Sequence, residues 1–359
     1  MKFITSSSLF LSTAFVGVLA LPLWGAVPPA LTELATDGAA AVEEAEARMG
    51  AAADADDAEA VAEAREALNN AVVIRGVDGW LFGLNDVRHH AAGPFWGDRA
   101  AEVAASSRNP DPLPAIVGMA EQASAAGVRL IVLPVPSKVS AYPEKLDPTL
   151  EGWTDEARAT FLEELAEAGV EVLDATDLLG ELRAEGHLSH MRTDAHWSPL
   201  AVEKVAAQIY EMVKDEDWVG ELDRAEVSLD ETTLSVTGDL ASQIGEEKET
   251  ITVNQVSLGG ERVRGDQESS IVLMGDSHGL VYGHRDLLTT RAGLGDHLAA
   301  QFGIAPDITA VMGSGANASR MTLARRGDSL EGKKLVIWVF AEREFSRSGS
   351  GWPVIPVVR

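Results

Sequence analysis

Four apolar residues, Ile271 to Met274, run straight into Gly275-Asp276-Ser277, and runs of the same kind recur along the chain. VRLIVLPVP (Val128 to Pro136), VEVLD (Val170 to Asp174), Ile308 to Met312 and Leu335 to Phe340 each predict a short buried strand, because a strand covered on both faces needs no polar side. Between them lie segments with helical spacing. One spans Leu113 to Ala125 and ends near Gly127; another runs from about Asp155 to Ala168 and stops at Gly169. A third opens at Ser198-Pro199, a cap followed by a first-turn proline, and carries Leu200, Val205, Ile209 and Val213 on one face. This alternation predicts an α/β fold with a mostly parallel sheet covered by helices on both sides. VVIRGVDGWLFG (Val72 to Gly83) predicts two short strands turning at Asp78-Gly79. Residues 214 to 268, richer in Thr, Ser, Val, Glu and Gly, read as an irregular β-containing insertion. The run ending at Met274 is expected to enter a tight turn that opens a helix.

The N-terminus follows another pattern. No charged residue occurs between Lys2 and Glu33, and Leu9 to Val27 is an almost wholly apolar run of about 19 residues. Residues 1–28 therefore read as a signal peptide or a signal anchor. Cleavage after Ala26 would put Trp24 where a small residue is wanted, and the run nearly matches a bilayer-spanning helix. Lys2 before it and an acidic flank after it predict a body outside the cytoplasm, in the periplasm, tethered to the inner membrane if the segment is retained. Residues 29–70, dominated by Ala, Glu and Asp, read as a solvated helical spacer, and residues 71–359 as the compact domain. With Lys+Arg 29 against Asp+Glu 56 the net charge is −27, and no basic patch stands out, which argues against a nucleic acid partner. The absence of cysteine excludes disulfides, a thiolate nucleophile and zinc–thiolate sites.

A serine after a parallel strand lies at the carboxyl edge of the sheet, where ligands bind and backbone N–H groups can hold an oxyanion. It needs a base. TDAHW (Thr193 to Trp197) offers Asp194 and His196, two residues apart and so on one side of an extended segment. A serine–histidine–aspartate arrangement of Ser277, His196 and Asp194 would suit acyl transfer. Other readings stay open: Gly-Asp-Ser as a plain turn and cap, or His187, His190, Asp194 and His196 as metal ligands, although their spacing matches no helical ligand pair. The acyl-transfer reading calls for no metal and no cofactor. His278 is either a second base candidate or a first-turn residue. Gly279, and a loop carrying Gly313, Gly315 and Asn317, are candidates for the oxyanion hole. Lys138 and Tyr142, after the strand ending at Pro136, are candidates for substrate contact. Glu342-Arg343 reads as an ion pair at the sheet edge.

GVDGWLF (Gly76 to Phe82), LPVPSKVSAYPEKL (Leu133 to Leu146), TDAHWSP (Thr193 to Pro199), VLMGDSHG (Val272 to Gly279) and VIWVFAEREF (Val336 to Phe345) occur in that order. Together they resemble the SGNH hydrolase-like domain of the alginate O-acetyltransferase family, the AlgJ- and AlgX-type proteins. The resemblance implies a flavodoxin-like α/β/α sandwich, permuted so that the Gly-Asp-Ser strand comes late. It implies a catalytic triad of Asp194, His196 and Ser277, and O-acetylation of an exported polysaccharide with a membrane-bound O-acyltransferase as acetyl donor. An acetylesterase with the same triad, or an idle scaffold subunit of an export complex, are the alternative functions. His278 departs from the residue common after Gly-Asp-Ser in that family. The chain stops at Arg359, soon after the last motif, where AlgX-type relatives continue into a carbohydrate-binding module.

Overall fold

The computed structural model describes residues 26–358 apart from Asp56 and Glu247, so the apolar run Leu9 to Val27 lies outside the described residues except for its last two. No helix among the described residues is long and apolar enough to cross a membrane.

The strands are β1 (Val73–Arg75), β2 (Leu81–Gly83), β3 (Arg129–Val135), β4 (Val227–Val236), β5 (Glu249–Leu258), β6 (Glu261–Arg262), β7 (Ile271–Gly275), β8 (Asp307–Ile308) and β9 (Leu335–Ala341). The principal helices are α1 (Pro29–Asp54), α2 (Ala58–Ala71), α3 (Leu84–Ala91), α4 (Leu113–Ala125), α5 (Glu156–Glu167), α6 (Thr176–Ala184), α7 (Pro199–Val213), α8 (Asp239–Ile244), α9 (Leu294–Phe302) and α10 (Ala318–Arg326). β3, β9, β7 and β8 form a parallel four-stranded sheet in that order, with the late strand β7 near its centre.

Successive side chains of a strand point to opposite faces, and here both faces are apolar. Ile131, Leu133, Ile271, Leu273, Leu335, Ile337 and Val339 pack on one side with α6, α7 and α9. Leu130, Val132, Val272, Met274, Val336, Trp338 and Phe340 pack on the other with α4 and α5. Two cores on one sheet make the expected α/β/α sandwich. The predicted Ser198 cap forms, its Oγ accepting the Ala201 N–H at the start of α7, and the Asp155 carboxylate caps α5 by accepting the Arg158 N–H.

Several expectations need correction. Val170 to Asp174 adds a single bridge, Val132 to Val172, held by Val132 N–H to Glu171 O and Leu173 N–H to Val132 O (2.9 Å each). Ile308 to Met312 contributes ladder only through β8, although Thr309 and Val311 still donate to Leu273 O and Gly275 O. No helix follows β7. The chain makes one 3-10 turn, Ser277–Gly279, then reverses through Tyr282 at φ 64°, and α9 begins only at Leu294. The insertion is more regular than its composition suggests: β4, β5 and β6 form an antiparallel sheet, with α8 between its first two strands. α1 and α2 do not stand off as a free spacer. They pack on each other, and α1 also packs on α3, where Gly38 meets the Leu84 side chain and Leu31 is fully buried.

Candidate active site

Gly275 ends β7 with φ 144°, and a Cβ there would lie 1.6 Å from Val339 O, so no side chain fits. Asp276 then fastens the turn to β9. Its N–H donates to Val339 O (3.2 Å), Oδ2 accepts the Ala341 N–H (2.9 Å) and Oδ1 accepts the His278 N–H (2.9 Å). Burial opposes the charge on Asp276, but His278 and these N–H groups draw its pKa down to about 2. Ser277 follows at the carboxyl edge, half-buried.

The loop before α7 faces this turn. Trp197 is fully buried and its carbonyl accepts the Tyr282 hydroxyl (2.7 Å), while the chain on either side bridges His190 to Trp197. His196 Nε2 lies 2.8 Å from Ser277 Oγ, and His196 Nδ1 lies 2.6 Å from Asp194 Oδ1. A carboxylate beside Nδ1 keeps the proton there and leaves Nε2 to accept from the hydroxyl. Asp194 Oδ1 also accepts the His196 N–H (2.9 Å), and Oδ2 accepts the Asp239 N–H (2.7 Å). Burial of His196 favours the neutral ring, yet the Asp194 charge outweighs it and raises the pKa above the ordinary histidine value. Asp194 is held below the carboxylate range, its burial outweighed by His196 and the donated hydrogen bonds. Beside the pair opens a cavity of about 530 Å³, bordered by His196, Asp239, Lys248, Arg285 and Leu288.

The other candidates stand elsewhere. Lys138 is buried, with Nζ donating to Arg192 O (3.1 Å) and Asp194 O (2.6 Å), so it braces the loop from below and presents no charge to a substrate. Tyr142 is buried too; its hydroxyl accepts the Ser189 N–H (2.9 Å) and its ring carries the Arg183 guanidinium at 4.1 Å. Asn317 spends its amide on Ser350 Oγ (2.6 Å) and Gly351 O (2.5 Å), and its carbonyl on Arg320, which removes it from the oxyanion role. The Gly279 N–H closes the turn on Asp276 O (3.2 Å). Glu342 and Arg343 do not pair: Glu342 meets Arg158 and Arg343 meets Asp86. The four proposed metal ligands do not gather, since His190 Nε2 is bound to Pro136 O (2.9 Å) and His187 is exposed. His278 sits beside the pair, its ring centroid 4.7 Å from that of His196, with Nδ1 on Asp276 (3.3 Å).

Sequence reasoning missed Asp239 and Glu249. Glu249 accepts from the Arg192 and Thr193 N–H groups (3.2 Å each) and from the Thr193 hydroxyl (2.8 Å). In the sequence it follows Glu246, Glu247 and Lys248, a charge run that looks solvated. For Asp239 the available signal was Gly238-Asp239 opening a short helix.

A parallel sandwich that sets a serine at a strand end against Asp-x-His on a neighbouring loop is the SGNH hydrolase-like class of domain. The chain belongs to the family described as the SGNH hydrolase-like domain, acetyltransferase AlgX, whose family model matches residues 73–342. It is 30% identical over 139 residues to the probable alginate O-acetylase AlgJ of Pseudomonas aeruginosa, a stretch that is 38% of this chain and 32% of that protein. To the protein of the same description in Azotobacter vinelandii it is 27% identical over 143 residues, 40% of this chain and 34% of the relative. The matched stretch thus spans about a third of these relatives. Among solved structures, the O-acetyltransferase domain of Pseudomonas putida AlgJ superposes with a TM-score of 0.57 at 20% identity, over 76% of this chain and 92% of that one. Pseudomonas aeruginosa AlgX superposes at 0.52 and 19% identity, over 75% and 62%. At these identities the structural likeness shows the fold.

Proposed function

We propose that the protein is a serine O-acetyltransferase that acetylates hydroxyl groups of an exported, alginate-like polysaccharide through an acetyl-Ser277 intermediate. The observation that carries this reading is the continuous hydrogen-bonded line from Asp194 through His196 to Ser277, with an open cavity bordered by Asp194 and His196. The Ser277 oxygen attacks the acetyl carbonyl of the donor while its proton passes to His196 Nε2. The carbonyl oxygen becomes an oxyanion. The Ser277 N–H, first in its turn and so without an acceptor inside it, stabilises that charge. The tetrahedral adduct collapses, the donor oxygen leaves with the proton from His196, and acetyl-Ser277 remains. A sugar hydroxyl then attacks the acetyl carbon, its proton moves to His196, and collapse returns that proton to Ser277 Oγ. Asp194 holds the tautomer and offsets the imidazolium charge in both halves.

The acetyl donor in this scheme is a membrane-bound O-acyltransferase, and the catalytic body stands in the periplasm, tethered or delivered through Leu9 to Val27. What supports the delivery is the apolar N-terminal run, and what supports an acetylation setting is the relatives' description as probable alginate O-acetylases. Water as acceptor would make the same site an esterase, so product analysis is the decisive test. Purified protein given p-nitrophenyl acetate and oligouronate should acetylate the sugar. Ser277→Ala should lose at least about 10³-fold of reporter turnover at unchanged circular dichroism. Wild-type turnover in that variant would remove the serine mechanism, and free acetate as the sole product would favour the esterase.

A further inference from the structure

Asp194 and His196 sit on one short loop that no strand ladder rigidifies, yet they must keep a fixed plane and spacing. We propose that Asp239 is the positioning residue that sets this geometry, and that the insertion between α7 and β7 serves to carry it. The proposal rests on the triad reading given above.

Asp239 is bound to both halves of the loop. Its backbone N–H donates to Asp194 Oδ2 (2.7 Å), the oxygen the imidazole leaves free, which fixes the carboxylate plane so that Oδ1 stays on His196 Nδ1. Its side-chain Oδ1 accepts the N–H of Ala195 (2.7 Å), the residue between the two triad members. The bond is therefore reciprocal: backbone to side chain in one direction, side chain to backbone in the other. The contact is also tight. A Cβ on Gly238 would lie 2.2 Å from Thr193 O and 2.7 Å from the Asp194 nitrogen, so only glycine lets the two segments meet. One turn later the Ala241 N–H donates to Thr193 O (3.0 Å). Glu249, from the next strand of the insertion, accepts the N–H groups of Arg192 and Thr193, and Lys138 Nζ donates to the carbonyls of Arg192 and Asp194. Of these supports, Asp239 alone holds both Asp194 and Ala195.

Ordering a free loop costs backbone conformational entropy at every residue fixed. A loop pinned in advance spends none of the transition-state stabilisation on that ordering, so loss of the pin should appear in kcat rather than in KM. Outer partners of functional side chains typically matter by about 10–100-fold. The test compares Asp239→Ala with Asp239→Asn in full-length protein, using reporter-ester hydrolysis. Both keep the backbone donor. The asparagine also keeps an oxygen for the Ala195 N–H.

Asp239→Ala should lower kcat about 10–100-fold with KM within about twofold, and Asp239→Asn should recover to within about fivefold of wild type. The downfield proton resonance of His196 Nδ1–H should persist in Asp239→Asn and broaden or vanish in Asp239→Ala. Wild-type kcat in Asp239→Ala overturns the proposal, as does equal loss in both variants or a loss confined to KM. Ser277→Ala, run alongside, separates the two readings. If it is dead while Asp239→Ala is fully active, the triad stands and the positioning role falls; if it is active, the triad itself is wrong.

Discussion

In the proposed reaction His196 must be neutral to take the Ser277 proton, and its surroundings work against that. Burial favours the neutral ring, but the Asp194 carboxylate at 2.6 Å raises the pKa above its usual value of 6.5. The acid limb of kcat/KM for a neutral reporter ester should therefore fall above pH 6.5, rising with pH as the imidazolium loses its proton. A limb well below that value would show that another group is the base. His278 lies close by, but burial holds its pKa below the ordinary histidine value, so it should not produce this limb. At this scale the sequence was legible where chemistry dictates residue type: a serine after a strand needs a base, and Asp-x-His supplies one. It was illegible where partners decide. Lys138 and Tyr142 do follow β3, yet nothing local says that the ammonium will find the Arg192 and Asp194 carbonyls or that the phenol will accept from Ser189.

A second serine–histidine–aspartate array ties several elements together. His90 of α3 has Nδ1 2.5 Å from Asp155, the cap of α5, and Nε2 2.7 Å from Ser137 after β3. It differs from the first array in having another carboxylate: Glu342, at the end of β9, lies 3.2 Å from the same Nε2 and is itself paired with Arg158. Ser137 Oγ is also engaged as the cap of the next turn, accepting from Val139 N–H. Burial would lower the His90 pKa, but the two carboxylates overcome it and push the value up to about 10, so this ring stays charged at neutral pH and cannot serve as a base. Its raised pKa contributes stability that is complete below about 6.5 and is lost as pH rises through about 10. Asp155 and Glu342 are depressed, so their share is present above the ordinary carboxylate range and is lost as pH falls through their lowered values. His90→Gln should cost about 3–5 kcal/mol at pH 7 by stranding buried carboxylates. It should also flatten the decline in urea midpoint that the wild type shows between about pH 6.5 and 10. An unchanged slope would show that His90 is not the group responsible. Of the elements this network joins, β3, β9 and α5 were legible because periodicity reports burial, as Ile131 and Leu133 facing one core and Leu130 and Val132 the other illustrate, whereas α3 was not read from the sequence. The turn after β7 was not, because its path depends on Tyr282 adopting φ 64° to seat its hydroxyl on Trp197 O.

Across the whole molecule, the net charge of −27 sets a field that the proposed uronate acceptor would have to cross to reach the cavity. Lys248 and Arg285 border that cavity, but Asp194, Asp239 and Asp286 border it as well, so the rim has no positive excess to draw an anionic chain inward. Long-range repulsion therefore governs encounter, and salt screens it: the Debye length shrinks from about 30 Å at 0.01 M to about 8 Å at 0.15 M. For an anionic oligouronate acceptor, kcat/KM of acetyl transfer should rise several-fold over that range, with the gain in KM. Hydrolysis of an uncharged reporter ester by the same preparation should hardly change, because neither its approach nor the buried Asp194–His196 pair feels the bulk salt. Affinity of the protein for free oligouronate should be weak for the same reason, in keeping with the proposed delivery of polymer or donor by a membrane partner. A rate on oligouronate that falls steeply with added salt would contradict this. It would mean that the two rim cations outweigh the field of the whole chain and grip the polymer directly.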